Sequence, residues 1–389
     1  MSEIENCIEF LQRLIRTESL PGREGEVAEL VENEMLSLGY DQVERDEVGN
    51  VIGLCKGQGQ APAMMFNSHL DHVNVGDPKA WPHPPYSGEI WNGRLWGRGA
   101  VDIKGPMAAQ VYGVGSFIAD GIRPEGDVYV TAVVQEEIGG LGARHLITHL
   151  RPPLVVVGEP SQNEIRRGHR GRSELVVHIK GKSVHASIPE KAVNPLEVLA
   201  RFVLQLKNSK MREDEELGLS TIAPTLLRTD QTSSNVTPGE IWLTCDCRTV
   251  PNESGEDMRE QLQTLIEECL IKGASAGVEA TYCDHVSYTG LRRSIPSEHP
   301  SYLLPPEHPA VASAEAVLGK VFKSIEHAGV WRFATDGGHF AQAGQTVIGF
   351  GPGDDKLAHT VEESIEIAEI EKALIANRAL ALEWPARNR

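Results

Sequence analysis

The chain has 389 residues, 40% of them hydrophobic and 24% charged, which is enough for two domains with sizeable cores. Its 55 acidic and 37 basic residues give a formal net charge of −18, a surface that repels phosphate backbones and anionic lipid, so no nucleic acid partner is expected. No apolar run approaches the roughly 18 residues that span a bilayer, so no membrane association is expected either.

At the start of the chain, Ile4, Ile8, Leu11 and Ile15 recur at helical spacing. The segment therefore reads as an amphipathic helix over 4–18, not as a signal peptide. A second helix is expected over 24–38, closed by Gly39, and a third over 105–120 with Pro106 in its first turn. Short apolar runs at 51–55, 63–66, 128–134 and 154–157 fit buried strands of an α/β sheet. Between about 172 and 290 the rhythm changes. Strand 174–179, helix 195–207, strands 220–228 and 241–247, helix 256–271 and strand 278–283 give the β-α-β-β-α-β order of a ferredoxin-like unit. After the proline-rich stretch 296–309, helix and strand alternate again. The expected organisation is thus an α/β domain in two parts, 1–172 and 291–389, with a ferredoxin-like α+β domain inserted at 173–290. The six cysteines (Cys7, Cys55, Cys245, Cys247, Cys269, Cys283) form no CxxC pair and read as reduced thiols of a cytoplasmic protein.

The apolar runs end in residues that carry chemistry. His69-Leu70-Asp71 follows the run 63–66; on a strand Asp71 shares a face with His69, where a carboxylate fixes the tautomer of a ligating imidazole. Asp102 sits in Gly97-Arg98-Gly99-Ala100-Val101-Asp102-Ile103-Lys104-Gly105, a glycine-crowded strand-to-helix turn that lets backbone approach a ligand. Glu136 and Glu137 are adjacent carboxylates at a strand end, and such a pair needs a cation or a proton to be tolerated there. Glu159 ends the run 154–157, and His359 lies in a turn after Gly351-Pro352-Gly353. Each motif alone also fits an ordinary surface pair, capping residue or solvated loop. Together they set imidazoles and carboxylates, without thiolates, at the strand ends of one sheet. That donor set suits zinc, cobalt or manganese, and an odd carboxylate beside it suits a general base.

The chain resembles the co-catalytic zinc amidohydrolases and peptidases that include acetylornithine deacetylase, succinyl-diaminopimelate desuccinylase and carboxypeptidase G. The similarity rests on SHLDHV at 68–73, PYSGEIWNGRLWGRGAVDIKG at 85–105, QEEIGG at 135–140, GEP at 158–160, GKSVHASIPEKAVNP at 181–195, DCRTVP at 246–251, TDGG at 335–338 and AHTVEE at 358–363. Two features depart from the family pattern: His72, where many relatives carry Thr or Val, and ATDGGHF, the loop that in relatives faces the substrate.

The resemblance implies a mixed-sheet zinc-peptidase-like catalytic domain with the inserted domain as lid and dimerisation module. It implies two divalent metal ions, zinc first and cobalt or manganese as alternatives. His69 and Glu159 would bind one, Glu137 and His359 the other, with Asp102 bridging. Asp71 would orient His69, and Glu136 would take a proton from the attacking water and return it to the leaving amine. His185 would stabilise the oxyanion. Arg248, with Asn235 nearby, would bind a substrate carboxylate, and Gly337 would lie in the substrate-facing loop. The implied substrate is small: an N-acyl amino acid with a free carboxylate, or alternatively a dipeptide or the C-terminal residue of a short peptide. The implied assembly is a homodimer. Two rivals, a non-catalytic binding protein on the same fold and a structural zinc protein, fit less well. Glu136 and all five ligands are present, and structural zinc sites are usually closed by four Cys or His ligands.

Overall fold

Helical periodicity becomes helix close to where the spacing places it. Helices span Glu3–Arg16, Gly25–Ser37 and Gly105–Ala119. Ser2 starts the first with a capping box, its hydroxyl accepting from Glu5 N while the Glu5 carboxylate accepts from Ser2 N. The computed structural model describes residues 2–322 and 327–388. It divides into two units: Met1–Gly168, Asp284–Ile295 and Tyr302–Arg389 form the first, His169–Cys283 and Pro296–Ser301 the second.

The first unit is built on a mixed sheet. In spatial order its strands are Gln42–Arg45, Val51–Cys55, Val128–Val133, Met64–His69, Leu154–Val157, Thr346–Gly349, Arg166–His169 and Tyr302–Leu303. The four central strands, from Val128–Val133 to Thr346–Gly349, run parallel, with His69 opposite Val133 and Asn67 and Gly349 both opposite Val157. Side chains alternate between two cores. Met64, Phe66, Val156 and Ile348 join a large cluster with helices Glu3–Arg16, Gly105–Ala119 and Ile367–Glu383; Met65, Val155, Val157 and Val347 face a smaller one with Leu146 and Phe340. Strands buried on both faces explain the unbroken apolar runs in the sequence.

The second unit is an antiparallel sheet in the order Thr221–Thr229, Glu240–Thr249, Gly171–Lys180, Ser275–Ala280, with Glu298–His299 also paired to Gly171–Lys180. Helices Pro195–Leu206 and Gly255–Glu268 supply Val198, Phe202, Met258 and Leu262 to its core, against Leu175, Val177 and Leu243. This is the expected β-α-β-β-α-β arrangement. Residues 284–290, expected within the insertion, pack on the first unit. Gln135 holds them through its Nε2 on Val286 O (2.8 Å), and Tyr288 donates to Gly49 O (2.8 Å). All six cysteines are free thiols, and no helix of the described residues is long and apolar enough to cross a membrane.

Candidate dinuclear metal centre

Four parallel strands end at one edge of the first unit's sheet, and the loops that leave them carry the chemistry, as expected for an α/β sheet. His69 is the last residue of Met64–His69. Its Nδ1 is 3.0 Å from the backbone oxygen of Asp71, an acceptor that places the proton on Nδ1 and leaves Nε2 as a free donor of electrons. That Nε2 lies 3.0 Å from Asp102 Oδ1 and 3.6 Å from Glu159 Oε1. On the other side His359 Nε2 lies 3.1 Å from Asp102 Oδ2 and 3.0 Å from Glu137 Oε1. Asp102 therefore meets one imidazole on each carboxylate oxygen. Glu136 offers a carboxylate oxygen to the His69–Glu159 side, the three ligating atoms lying within 4.8 Å of one another.

Two non-glycine residues of these loops, Gln135 (φ 57°) and His359 (φ 62°), sit in the left-handed region. That costs about 1 kcal/mol or more each, and such outliers cluster at functional sites. The turn around Asp102 tolerates no side chain at two of its glycines. A Cβ on Gly97 would stand 2.4 Å from Ile15 Cγ2, and one on Gly105 would stand 2.4 Å from Ala100 O. Buried Lys104, pushed down to about 7 by burial, ties the turn to the end of the first helix through Leu14 O (2.9 Å) and Thr17 O (2.8 Å).

The charge balance calls for cations. Burial pushes Glu136 and Glu159 well above the usual carboxylate range, and burial followed by the Asp102 charge raises Glu137. Burial also raises Asp102, but hydrogen bonds from His359 and His69 outweigh it and hold the group low. Asp102 and Glu137 in turn pull His359 up to about 10. Burial lowers His69, yet Asp102 and Asp71 outweigh it and raise it well above the ordinary imidazole value. Four largely buried carboxylates thus face two imidazoles, one buried (His69) and one half exposed (His359), and divalent ions would neutralise the excess. Ligands at 2.0–2.2 Å around a tetrahedral ion would stand about 3.3–3.6 Å apart. The observed 3.0–3.6 Å spacings fit that set.

Asp71 stands beside His69 but makes closer contacts elsewhere. Its carboxylate is 3.5 Å from His69 Nδ1, farther than its own backbone oxygen. Instead Oδ1 accepts from Glu136 N (3.1 Å) and Oδ2 from Glu137 N (3.2 Å). The carboxylate holds the 136–137 loop, and the backbone oxygen is the nearer acceptor for the imidazole. His72 packs inside the protein. It is buried, its Nε2 accepts from Ser19 N (3.0 Å) and its Nδ1 donates to Val73 O (2.8 Å), so this departure from the family pattern is an internal staple.

Gly337 opens helix Gly337–Gln342 and is packed on Tyr302. Its neighbour Asp336 is the residue that sequence reasoning missed. It is buried, neither carboxylate oxygen has a hydrogen-bond partner among the described residues, and burial pushes it up to about 7 while the His69 charge opposes the shift. The TDGG motif was the available signal.

His185, Asn235 and Arg248 lie in the second unit. His185 bridges Val236, and Ala186 N donates to Asn235 O, so His185 and Asn235 are neighbours. Both precede the Glu240 end of strand Glu240–Thr249, whereas Arg248 is at the other end, opposite Arg172. The eight steps from Glu240 to Arg248 span about 26 Å of extended chain. Asn235 is therefore not near Arg248 within one chain, a correction to the expected pairing. Arg248 bonds Asp246 Oδ1 through Nε (2.7 Å), and Arg172 shares the same carboxylate.

The chain matches the model of Peptidase family M20/M25/M40 over residues 65–383. It is 29% identical over 385 residues to YgeY of Escherichia coli (strain K12), an uncharacterised protein, covering 97% of this chain and 94% of that one. It is 30% identical over 376 residues to the succinyl-diaminopimelate desuccinylase of Cereibacter sphaeroides, covering 92% and 93%. Among solved structures it is similar to aminopeptidase PepT from Bacillus cereus, with a TM-score of 0.76, 20% identity and 98% of each chain covered. It is also similar to YXEP of Bacillus subtilis, a dinuclear metal-binding peptidase, with a TM-score of 0.75, 14% identity and 98% of each chain covered. These two likenesses concern the fold. The family match spans the insertion and every residue of the cluster just described, and the chain belongs to Peptidase family M20/M25/M40 as a metal-dependent hydrolase.

Proposed function

We propose that the protein hydrolyses the amide bond of an N-acyl amino acid carrying a free carboxylate, with two zinc ions per chain. The observation that carries the reading is Asp102 set between His69 and His359, with Glu159 and Glu137 completing the two sides. His69 and Glu159 would hold one ion, Glu137 and His359 the other, with Asp102 shared. Such ions lower the pKa of water to about 7 and polarise a carbonyl oxygen.

The remaining work belongs to the chain's own residues. Glu136 lies beside the His69–Glu159 side, buried, and burial raises its affinity for a proton, as a base that must carry one from water to the leaving amine requires. Asp71 keeps the Glu136 and Glu137 amides in place. His185 Nδ1 accepts from Ser187 N (3.2 Å), which leaves the ring proton on Nε2, free to donate to an oxyanion. Arg248 offers a planar fork suited to a carboxylate. The 30% identity to a desuccinylase over 376 residues favours an acyl amino acid.

We read the inserted unit as a lid and dimerisation domain of a cytoplasmic homodimer. Strand Thr221–Thr229 is an exposed sheet edge, with Leu226 64% and Leu227 49% exposed, and such an edge invites pairing. Two-fold antiparallel pairing there would set the partner subunit's His185 and the partner subunit's Asn235 on the side of Arg248. Mixing Glu136→Ala and His185→Ala subunits tests this: about a quarter of all sites should recover if His185 acts across the dimer. Mixed dimers as inactive as both parents would exclude it.

A panel of N-acyl amino acids, their amidated forms and dipeptides, assayed with added zinc, cobalt or manganese, tests the substrate class. Turnover should be highest for an N-acyl amino acid with its carboxylate free. Turnover only on dipeptides would make the protein a peptidase instead.

A further inference from the structure

Glu363, the last residue of the AHTVEE motif, has no role in the ligand set. It is fully buried, as is Arg98, and the two meet through Glu363 Oε2 and Arg98 Nη1 at 2.5 Å. Glu363 Oε1 accepts from both Val101 N (3.0 Å) and Asp102 N (3.1 Å). Its backbone oxygen accepts from Gly97 N (3.2 Å), and the next residue, Ser364, pairs with Trp96. Arg98 is held in turn: its guanidinium lies 4.9 Å above the Trp81 ring and its N donates to Pro85 O (2.8 Å). One carboxylate therefore grips the turn 97–102 at three points.

The connection closes a ring. His359, four residues before Glu363, touches the Asp102 side chain, and Glu363 touches the Asp102 backbone. The imidazole that would hold one ion and the carboxylate that would be shared by both are thereby fixed relative to each other. A buried ion pair is weak evidence of stability, since an apolar pair of similar volume often serves as well or better. A geometric task explains its presence better than a stabilising one.

We propose that the Arg98–Glu363 pair is the positioning device for the bridging carboxylate: it sets the Asp102 backbone against the His359 loop and so defines the spacing of the two metal positions. The inference rests on the ligand set proposed above. Glu363→Gln keeps an acceptor for the two amides but turns an amide NH2 toward the guanidinium. The double variant Arg98→Met/Glu363→Leu replaces the pair by apolar side chains and removes the acceptor.

The test is zinc binding to the chelator-stripped full chain, by competition with a chromophoric chelator well below the melting temperature. It is paired with the electron paramagnetic resonance of the manganese-loaded chain, which reports coupling between two bridged ions. The variants should bind the second ion about 10- to 100-fold more weakly and lose the coupled signal. A purely structural pair would lower the melting temperature and leave both readouts at the wild-type values, overturning the proposal. Failure of both variants to fold would assign the pair to stability and overturn it equally. If the wild-type chain itself binds no coupled pair, or Glu137→Ala binds as the wild type does, the ligand set fails instead, and the two failures are told apart.

Discussion

Replacing Asp71 by Ala separates the job of its side chain from that of its backbone. The carboxylate accepts from Glu136 N at 3.1 Å and Glu137 N at 3.2 Å, while His69 Nδ1 finds its nearest acceptor in the Asp71 backbone oxygen at 3.0 Å, which the substitution keeps. A hydrogen bond to a charged group contributes about 1.5–3 kcal/mol, so the two amides together are held by about 3–6 kcal/mol. If about half of that is lost in the transition state, turnover falls by about 10- to 150-fold, since each 1.36 kcal/mol is tenfold. The ion at His69 and Glu159 should remain bound within a few-fold of the wild-type affinity, because its imidazole stays oriented. Steady-state kinetics with saturating zinc, beside metal titration of the stripped protein, measures both quantities. Loss of that ion as severe as in His69→Ala, or unchanged turnover, would refute the division of labour.

Glu136→Gln should lose nearly all turnover yet still bind two ions, whereas Glu137→Ala should lose affinity for the ion at His359; the opposite result in metal analysis would exchange the two roles. Arg248→Ala should raise KM for substrates with a free carboxylate by about 10-fold or more, the loss of a charge-assisted fork, and leave their amides little changed. His72 is pushed down to about 3 by burial, so between pH 6.5 and 3 the unfolded chain binds a proton there that the folded chain does not. Stability from this group is fully present above pH 6.5 and declines by about 1.4 kcal/mol per pH unit as pH falls. Denaturant titrations of wild type and His72→Gln from pH 7 to 5 should differ in slope by about one proton; parallel curves would contradict the buried neutral imidazole.

The sequence made some of this legible for a physical reason. Four strands buried on both faces appear as apolar runs, and each run stops where the chain meets the polar edge, so His69, Glu136, Glu137 and Glu159 stand out at its ends. The alternation in the insertion was equally clear, because Leu175, Val177 and Ile179 recur at the strand period. What stayed hidden depends on pairing between distant segments. The hairpin Glu89–Trp91 and Arg94–Trp96 has strands too short to show a period, and its partner Ser364–Glu366 lies some 270 residues away in sequence. The grip of Glu363 on Asp102 N spans 261 positions, so a motif of adjacent glutamates could not reveal it. Asn235 and Arg248 look close in sequence, but the extended strand between them carries them to opposite ends of a sheet. Asp71 stands out in the sequence for its place beside His69, while only the geometry separates the contacts of its side chain from those of its backbone.

The central claim is that Asp102 is shared by two ions. A crystal of the zinc-loaded chain, measured with anomalous scattering at the zinc edge, tests it most directly. The account gives two peaks about 3.5–4 Å apart, one against His69 and Glu159, the other against Glu137 and His359, with Asp102 between them. A single peak, or a pair in which Asp102 touches only one ion, would contradict it.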